Sequence, residues 1–137
     1  MSKRQGIILI AEDDAEDLDH LREAFQELES GWELVHAWNG AEVMAYLSKC
    51  DDGNYPVLLV LDFNMPMLNG LEVLVKMAKE ERYKPIPKVI YSTSNAPFHM
   101  DLCLQAGAHK YFVKPLNKKD LPAIVQEMIT IVTLPTQ

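Results

Sequence analysis

The sequence predicts an α/β domain in which a parallel sheet is covered by helices on both faces. Two features predict it. Short, continuous apolar runs such as Ile7 to Ala11 and Val57 to Leu61 read as strands buried on both faces. Between such runs lie amphipathic stretches with apolar residues every three or four positions, joined by short links, and this alternation builds right-handed βα units.

The first strand, Ile7 to Ala11, runs straight into the acidic residues Glu12, Asp13 and Asp14. Leu18, Leu21, Phe25 and Leu28 then mark the apolar face of a helix, with Asp14 as N-cap and Gly31 just past its end. Trp32 to Trp38 reads as a second strand with a weaker signal, Trp32, Leu34 and His36 alternating against Glu33, Val35 and Ala37. Asn39-Gly40 opens a helix through Lys49, broken by Asp51-Asp52-Gly53-Asn54, and Val57 to Leu61 is a third strand ending on Asp62. A loop from Phe63 to Asn69 leads to a third helix from Gly70 to about Glu80, with Leu71, Leu74, Val75 and Ala78 on one face. The segment Glu80 to Pro87 is long enough for an extra turn, and Lys88 to Ser92 is the fourth strand. Pro97 suits the first turn of a fourth helix that Gly107 ends. Tyr111 to Val113 is a short fifth strand, and a last helix starts near Asn117 and reaches about Val132.

The 137 residues, nearly half of them apolar, suffice for one domain with its own core, here residues 1–137 with the core at about 7–132. A formal charge of −7 and a sequence pI near 5.0 argue against a nucleic-acid surface, which needs clustered Lys and Arg. Cys50 and Cys103 lack metal-ligand spacing and are expected to be ordinary half-buried thiols in a reducing cytosol. The N-terminal apolar run is too short for a signal-peptide core and no stretch approaches a membrane span, so a cytoplasmic location is expected.

In an open doubly wound sheet, ligands sit beyond the carboxyl ends of the strands. Glu12, Asp13 and Asp14 follow the first strand, Asp62 the third, Ser92 and Thr93 end the fourth, and Lys114 follows the fifth. Carboxylates crowded into one mouth repel one another unless a cation neutralises them, and oxygen-only donors favour a hard divalent ion, Mg2+ above all. A hydroxyl and a lysine at the same rim can hold phosphoryl oxygens. The set fits phosphoryl transfer to an aspartate. Each residue also has a plainer reading, Asp14 as a helix cap, Ser92-Thr93-Ser94 as turn chemistry and Lys114 as a loop lysine. Their occurrence together, one group per strand, favours the site.

These residues resemble the receiver domains of bacterial response regulators over about Ile7 to Val132. The motifs are Glu12-Asp13, Asp62-Phe63-Asn64-Met65-Pro66 through Gly70, Ser92, and Lys114-Pro115. The resemblance implies a flavodoxin-like (βα)5 fold with strand order 2-1-3-4-5. It implies that Asp62 is the phosphoacceptor, that Asp13, Asp62 and the backbone carbonyl of Asn64 hold Mg2+, and that Glu12 supports the metal through water. By the same resemblance Ser92 binds a phosphoryl oxygen, with Thr93 one residue out of register as the alternative. Lys114 pairs with the phosphoryl group across a cis bond to Pro115, and Tyr111 is an aromatic switch partnered with Ser92. The expected partners are a sensor histidine kinase or a histidine phosphotransfer protein, and a downstream protein.

Only a few residues follow the last helix, so no effector domain is expected and output is a protein contact. The expected contact face is the fourth helix, fifth strand and fifth helix, with Phe98, His99 and Met100 exposed and Tyr111 turning inward on phosphorylation. A phosphorelay intermediate would share every site residue. A constitutive binding module is disfavoured by the intact Asp13, Asp62, Ser92 and Lys114 set. An aspartyl phosphatase is disfavoured because Asp62 is followed by Phe63-Asn64 without a second carboxylate. Flavin binding is disfavoured because the first loop is acidic where phosphate donors would be needed. The chain is therefore read as a phosphoacceptor signalling domain and not an enzyme.

Overall fold

The computed structural model describes residues 6–28, 31–51 and 53–132. The expectations for residues 1–5, for Asp52 and for the tail to Gln137 lie outside them.

Five strands, β1 (Gly6–Ala11), β2 (Trp32–Ala37), β3 (Leu58–Leu61), β4 (Lys88–Ser92) and β5 (Lys110–Val113), alternate with five helices. The helices are α1 (Ala15–Leu28), α2 (Gly40–Ser48), α3 (Gly70–Ala78), α4 (Pro97–Gln105) and α5 (Leu121–Ile131). All strand pairs are parallel, in the order β2-β1-β3-β4-β5. The fold is flavodoxin-like, as the resemblance implied.

Side-chain alternation along the central strands makes two cores. Leu9, Leu59, Leu61, Ile90 and Tyr111 point to the face covered by Val43 and Leu47 of α2, Val73, Leu74 and Met77 of α3, and Cys103 of α4. Ile8, Ile10, Leu58, Val60, Val89 and Phe112 point to the other face, against Leu18, Leu21 and Phe25 of α1 and Leu121, Val125 and Met128 of α5. Burial of both faces explains why β1 and β3 read as unbroken apolar runs and not as alternating ones.

Boundaries differ from expectation where side chains compete for backbone groups. β2 stops at Ala37 because the Trp38 N–H donates to Glu42 Oε1 at 2.7 Å, while Asn39 caps α2 through the Glu42 N–H. The extra turn in 80–87 is a 3-10 turn at Glu81–Tyr83, so α3 ends at Ala78 and not near Glu80. The last helix also starts late: a 3-10 turn, Lys118–Asp120, comes first. Pro122 has no N–H to return to the Lys118 carbonyl, so the α-helical ladder cannot begin at 118. Gly107 closes α4 with a φ of +119°, a conformation natural to glycine. Cys103 is fully buried and only Cys50 half-buried; both are free thiols. Among the described residues no helix is long and apolar enough to cross a membrane.

Candidate functional site

The winding reverses at the adjacent parallel strands β1 and β3, with β2 on one side of the pair and β4 and β5 on the other, and the crevice beyond their carboxyl ends is the expected ligand position. Ala11 and Leu61 are register partners there, and the Asp62 N–H donates to the Ala11 carbonyl at 3.0 Å. The next residues of the two strands, Glu12 and Asp62, are thereby forced side by side. Glu12 is 1% exposed and Asp62 5%, whereas Asp13 is exposed at the rim. Carboxylate oxygens of Glu12, Asp13 and Asp62 all lie within 4.8 Å of one another.

Lys114, one residue beyond β5, reaches across the mouth. Its Nζ lies 2.9 Å from Glu12 Oε1, 3.0 Å from Asp62 Oδ2 and 2.8 Å from Asp17 Oδ2. Its backbone is fixed by the Lys114 N–H donating to the Ser92 carbonyl at 2.7 Å. Burial by itself would lower the lysine's pKa, but hydrogen bonding to Asp17 and the Asp62 and Glu12 carboxylates raise it, so the ammonium stays charged. For Glu12, burial, the hydrogen bond shared with Asp62 and the Asp62 charge push the carboxyl up to about 8, with Lys114 opposing the rise. One ammonium does not neutralise this many carboxylates. The oxygen-only donor set and the surplus negative charge fit a hard divalent cation.

Asp62 Oδ1 accepts the Asn64 N–H at 3.1 Å, so the loop after β3 curls back over the acid. That loop carries Met67 and Leu68 at φ of 52° and 88°, left-handed conformations uncommon for residues with a Cβ. It turns tightly because Gly70 must pass the strand end: a Cβ there would sit 2.6 Å from the Asp62 carbonyl oxygen. An Asn69/Glu72 capping box then starts α3.

Ser92 closes β4, wholly buried and in register with Val113 of β5, with its Oγ accepting the Ser94 N–H at 3.2 Å. Thr93 is exposed and lies outside the strand, so the hydroxyl facing the interior is that of Ser92. Tyr111 is already turned inward, its hydroxyl donating to the Ser94 carbonyl at 2.8 Å, where sequence reasoning expected an inward turn only on phosphorylation. Of the three residues expected to be exposed on α4, Phe98 is (70%). His99 and Met100 are half-buried: His99 stacks on Phe63 at 4.5 Å and shares a 2.7 Å hydrogen bond with Ser94 Oγ, and Met100 packs against the core. The expected cis bond before Pro115 is also corrected, since the described residues contain no cis peptide bond. An X–Pro bond favours trans by about 0.5–1 kcal/mol, and in that form Lys114 still reaches all three carboxylates.

Asp17 was missed. It lies in the first turn of α1, three residues after the Asp14 cap, whose Oδ1 accepts the N–H groups of Glu16 and Asp17 at 2.9 and 3.0 Å. The available signal was position: an acid in the first turn of a helix that starts at the mouth.

Among proteins of known sequence, the chain is 29% identical over 97 residues, 71% of its length and 72% of the relative's, to a chemotaxis protein CheY homolog of Campylobacter jejuni. Among solved structures, it resembles the phosphorylated cyanobacterial phytochrome response regulator RcpA, with a TM-score of 0.85, 28% identity, and 96% of this chain and 99% of that one covered. It is similarly close to the Mn2+-bound response regulator Rcp1, with a TM-score of 0.83, 29% identity and the same coverage. Receiver domains are phosphoacceptor signalling domains, not conventional enzymes, and membership of a two-component system implies a histidine kinase partner. The response regulator receiver domain profile matches residues 8–126, most of the chain, and with the buried acidic mouth between β1 and β3 it establishes that this chain belongs to the response regulator receiver domain family.

Proposed function

We propose that the chain works as one receiver domain that accepts a phosphoryl group on Asp62 from a histidine kinase, with Mg2+ present, and thereby alters a protein-binding face. The observation that carries this reading is the convergence of the Glu12, Asp13 and Asp62 carboxylates with the Lys114 ammonium, 3.0 Å from Asp62 Oδ2. In the proposed step an Asp62 carboxylate oxygen attacks phosphorus in line, the new O–P bond forms as the P–N bond to the donor imidazole breaks, and the imidazole nitrogen leaves with the electron pair. Lys114 donates to a phosphoryl oxygen, and Ser92 Oγ–H donates to another. Asp13, Asp62 and the Asn64 carbonyl would hold Mg2+, with Glu12 close enough to the pair to support it directly or through water. When bound, the ion offsets the negative charge of the carboxylates and of the incoming phosphoryl oxygens.

The proposed output runs through Ser92. Drawing its hydroxyl toward the phosphoryl group pulls on Ser94, whose carbonyl holds Tyr111 and whose Oγ holds His99. The face of α4, β5 and α5, where Phe98 stands exposed, would then rearrange for a downstream protein. Incubation with acetyl phosphate and Mg2+ tests the acceptor: mass spectrometry is expected to find one acid-labile phosphate on the wild type and none on Asp62→Asn. Equal labelling of the variant would sink the assignment.

A further inference from the structure

Lys114 has three N–H donors, and in this structure three carboxylates take them: Glu12, Asp62 and Asp17. A phosphoryl oxygen can engage the ammonium only if one of these yields. Glu12 is almost wholly buried, and its second oxygen is tied to the Asp14 N–H at 3.2 Å. Asp62 is the reacting group itself. Asp17 differs from both, because its side chain is 33% exposed on the first turn of α1 and can swing into water.

We infer that Asp17 is a positioning residue that occupies one N–H of Lys114 as an internal stand-in for a phosphoryl oxygen, and is displaced when the phosphoryl group arrives. The inference rests on the reading of Asp62 as phosphoacceptor and assigns to Asp17 a restraining role in the same site. Two physical effects act in one direction. The carboxylate competes for a donor the phosphoryl group needs, and its charge repels an incoming anion. Removing it therefore strengthens anion binding, whereas loss of a residue that merely supported the fold would weaken it.

The test compares wild type, Asp17→Asn, Glu16→Gln and Asp62→Asn at saturating Mg2+, titrated with beryllofluoride and followed by 19F NMR. Glu16 lies in the same exposed helical turn and is equally charged, but is not among the contacts of Lys114, so its amide variant controls for charge and helix-end effects. Asp17→Asn is expected to bind beryllofluoride about fivefold tighter, the size of a partly exposed ion pair, with Glu16→Gln unchanged. In the metal-free protein the Lys114 ammonium 1H–15N signal is expected to shift in Asp17→Asn and not in Glu16→Gln. If wild type binds no beryllofluoride, or Asp62→Asn binds it equally well, the phosphoacceptor reading fails. If wild type binds normally and Asp17→Asn is no tighter, or Glu16→Gln tightens by as much, the role of Asp17 fails on its own.

Discussion

Two buried lysines stand at opposite ends of the sheet, and their surroundings could hardly differ more. Lys88 opens β4 at the amino-terminal edge; among the described residues its Nζ finds only the Lys84 carbonyl, at 3.3 Å, and burial lowers its pKa. Lys114 follows β5 at the carboxyl edge, faces three carboxylates within 3.0 Å, and keeps its charge because they outweigh burial. Two cavities, of about 420 and 490 Å3, lie away from the Lys114 mouth: one is lined by Tyr55, Pro56, Arg82 and Pro87, the other lies between α2 and α3. Open volume therefore does not mark the chemistry of this molecule. Concentrated, incompletely neutralised charge does, because a buried polar group persists only where partners or a ligand stabilise it.

The largest expected difference between the two ends comes from truncating each lysine. Lys114→Ala leaves the buried Asp62 carboxylate without its cation and is expected to cost about 3–5 kcal/mol of stability in metal-free protein, measured by urea unfolding. It should also prevent the response to beryllofluoride while Mg2+ still binds. Retention of full stability and response would mean that the three contacts do not act as a unit.

A pH series sharpens the same contrast. Glu12 is pushed up to about 8 in the folded protein, above its unfolded value of 4.5. The native state therefore holds the extra proton, and the contribution is fully present below pH 4.5 and lost as pH rises through 8. Metal-free protein should lose stability between pH 5 and 8.5 as Glu12 gives up that proton, and Glu12→Gln should flatten that slope. A slope that persists in the variant would assign the titration elsewhere.

Asp13→Ala probes the exposed rim of the mouth. It should weaken Mg2+ by about tenfold or more, roughly 1.4 kcal/mol, with little change in the stability of metal-free protein, since Asp13 is exposed and Glu12 and Asp62 keep Lys114. Unchanged Mg2+ affinity by calorimetry would leave the acidic cluster as helix capping. The smallest effect belongs to the other end: Lys88→Met removes an ill-partnered buried ammonium and should stabilise by about 1 kcal/mol at pH 7, without touching beryllofluoride binding.

Sequence by itself determined the winding of the chain. The apolar runs of β1 and β3, the caps Asp14 and Asn39, and Pro97 opening α4 are local signals, and local signals survive folding because they act through neighbouring residues. Glu12, Asp13, Asp62, Ser92 and Lys114 were legible for a related reason: each ends a strand or lies within two residues of a strand's end, and parallel pairing carries strand ends to one edge. What only the tertiary structure decided were distances across the chain. Asp17 and Lys114 are 97 residues apart, and no periodicity announces that an acid on α1 meets a lysine beyond β5. The inward setting of Tyr111 and the burial of His99 against Phe63 likewise depend on how α4 lies on the sheet. Packing alone fixes that, and it also decides which of the many acids on this chain share a single ammonium.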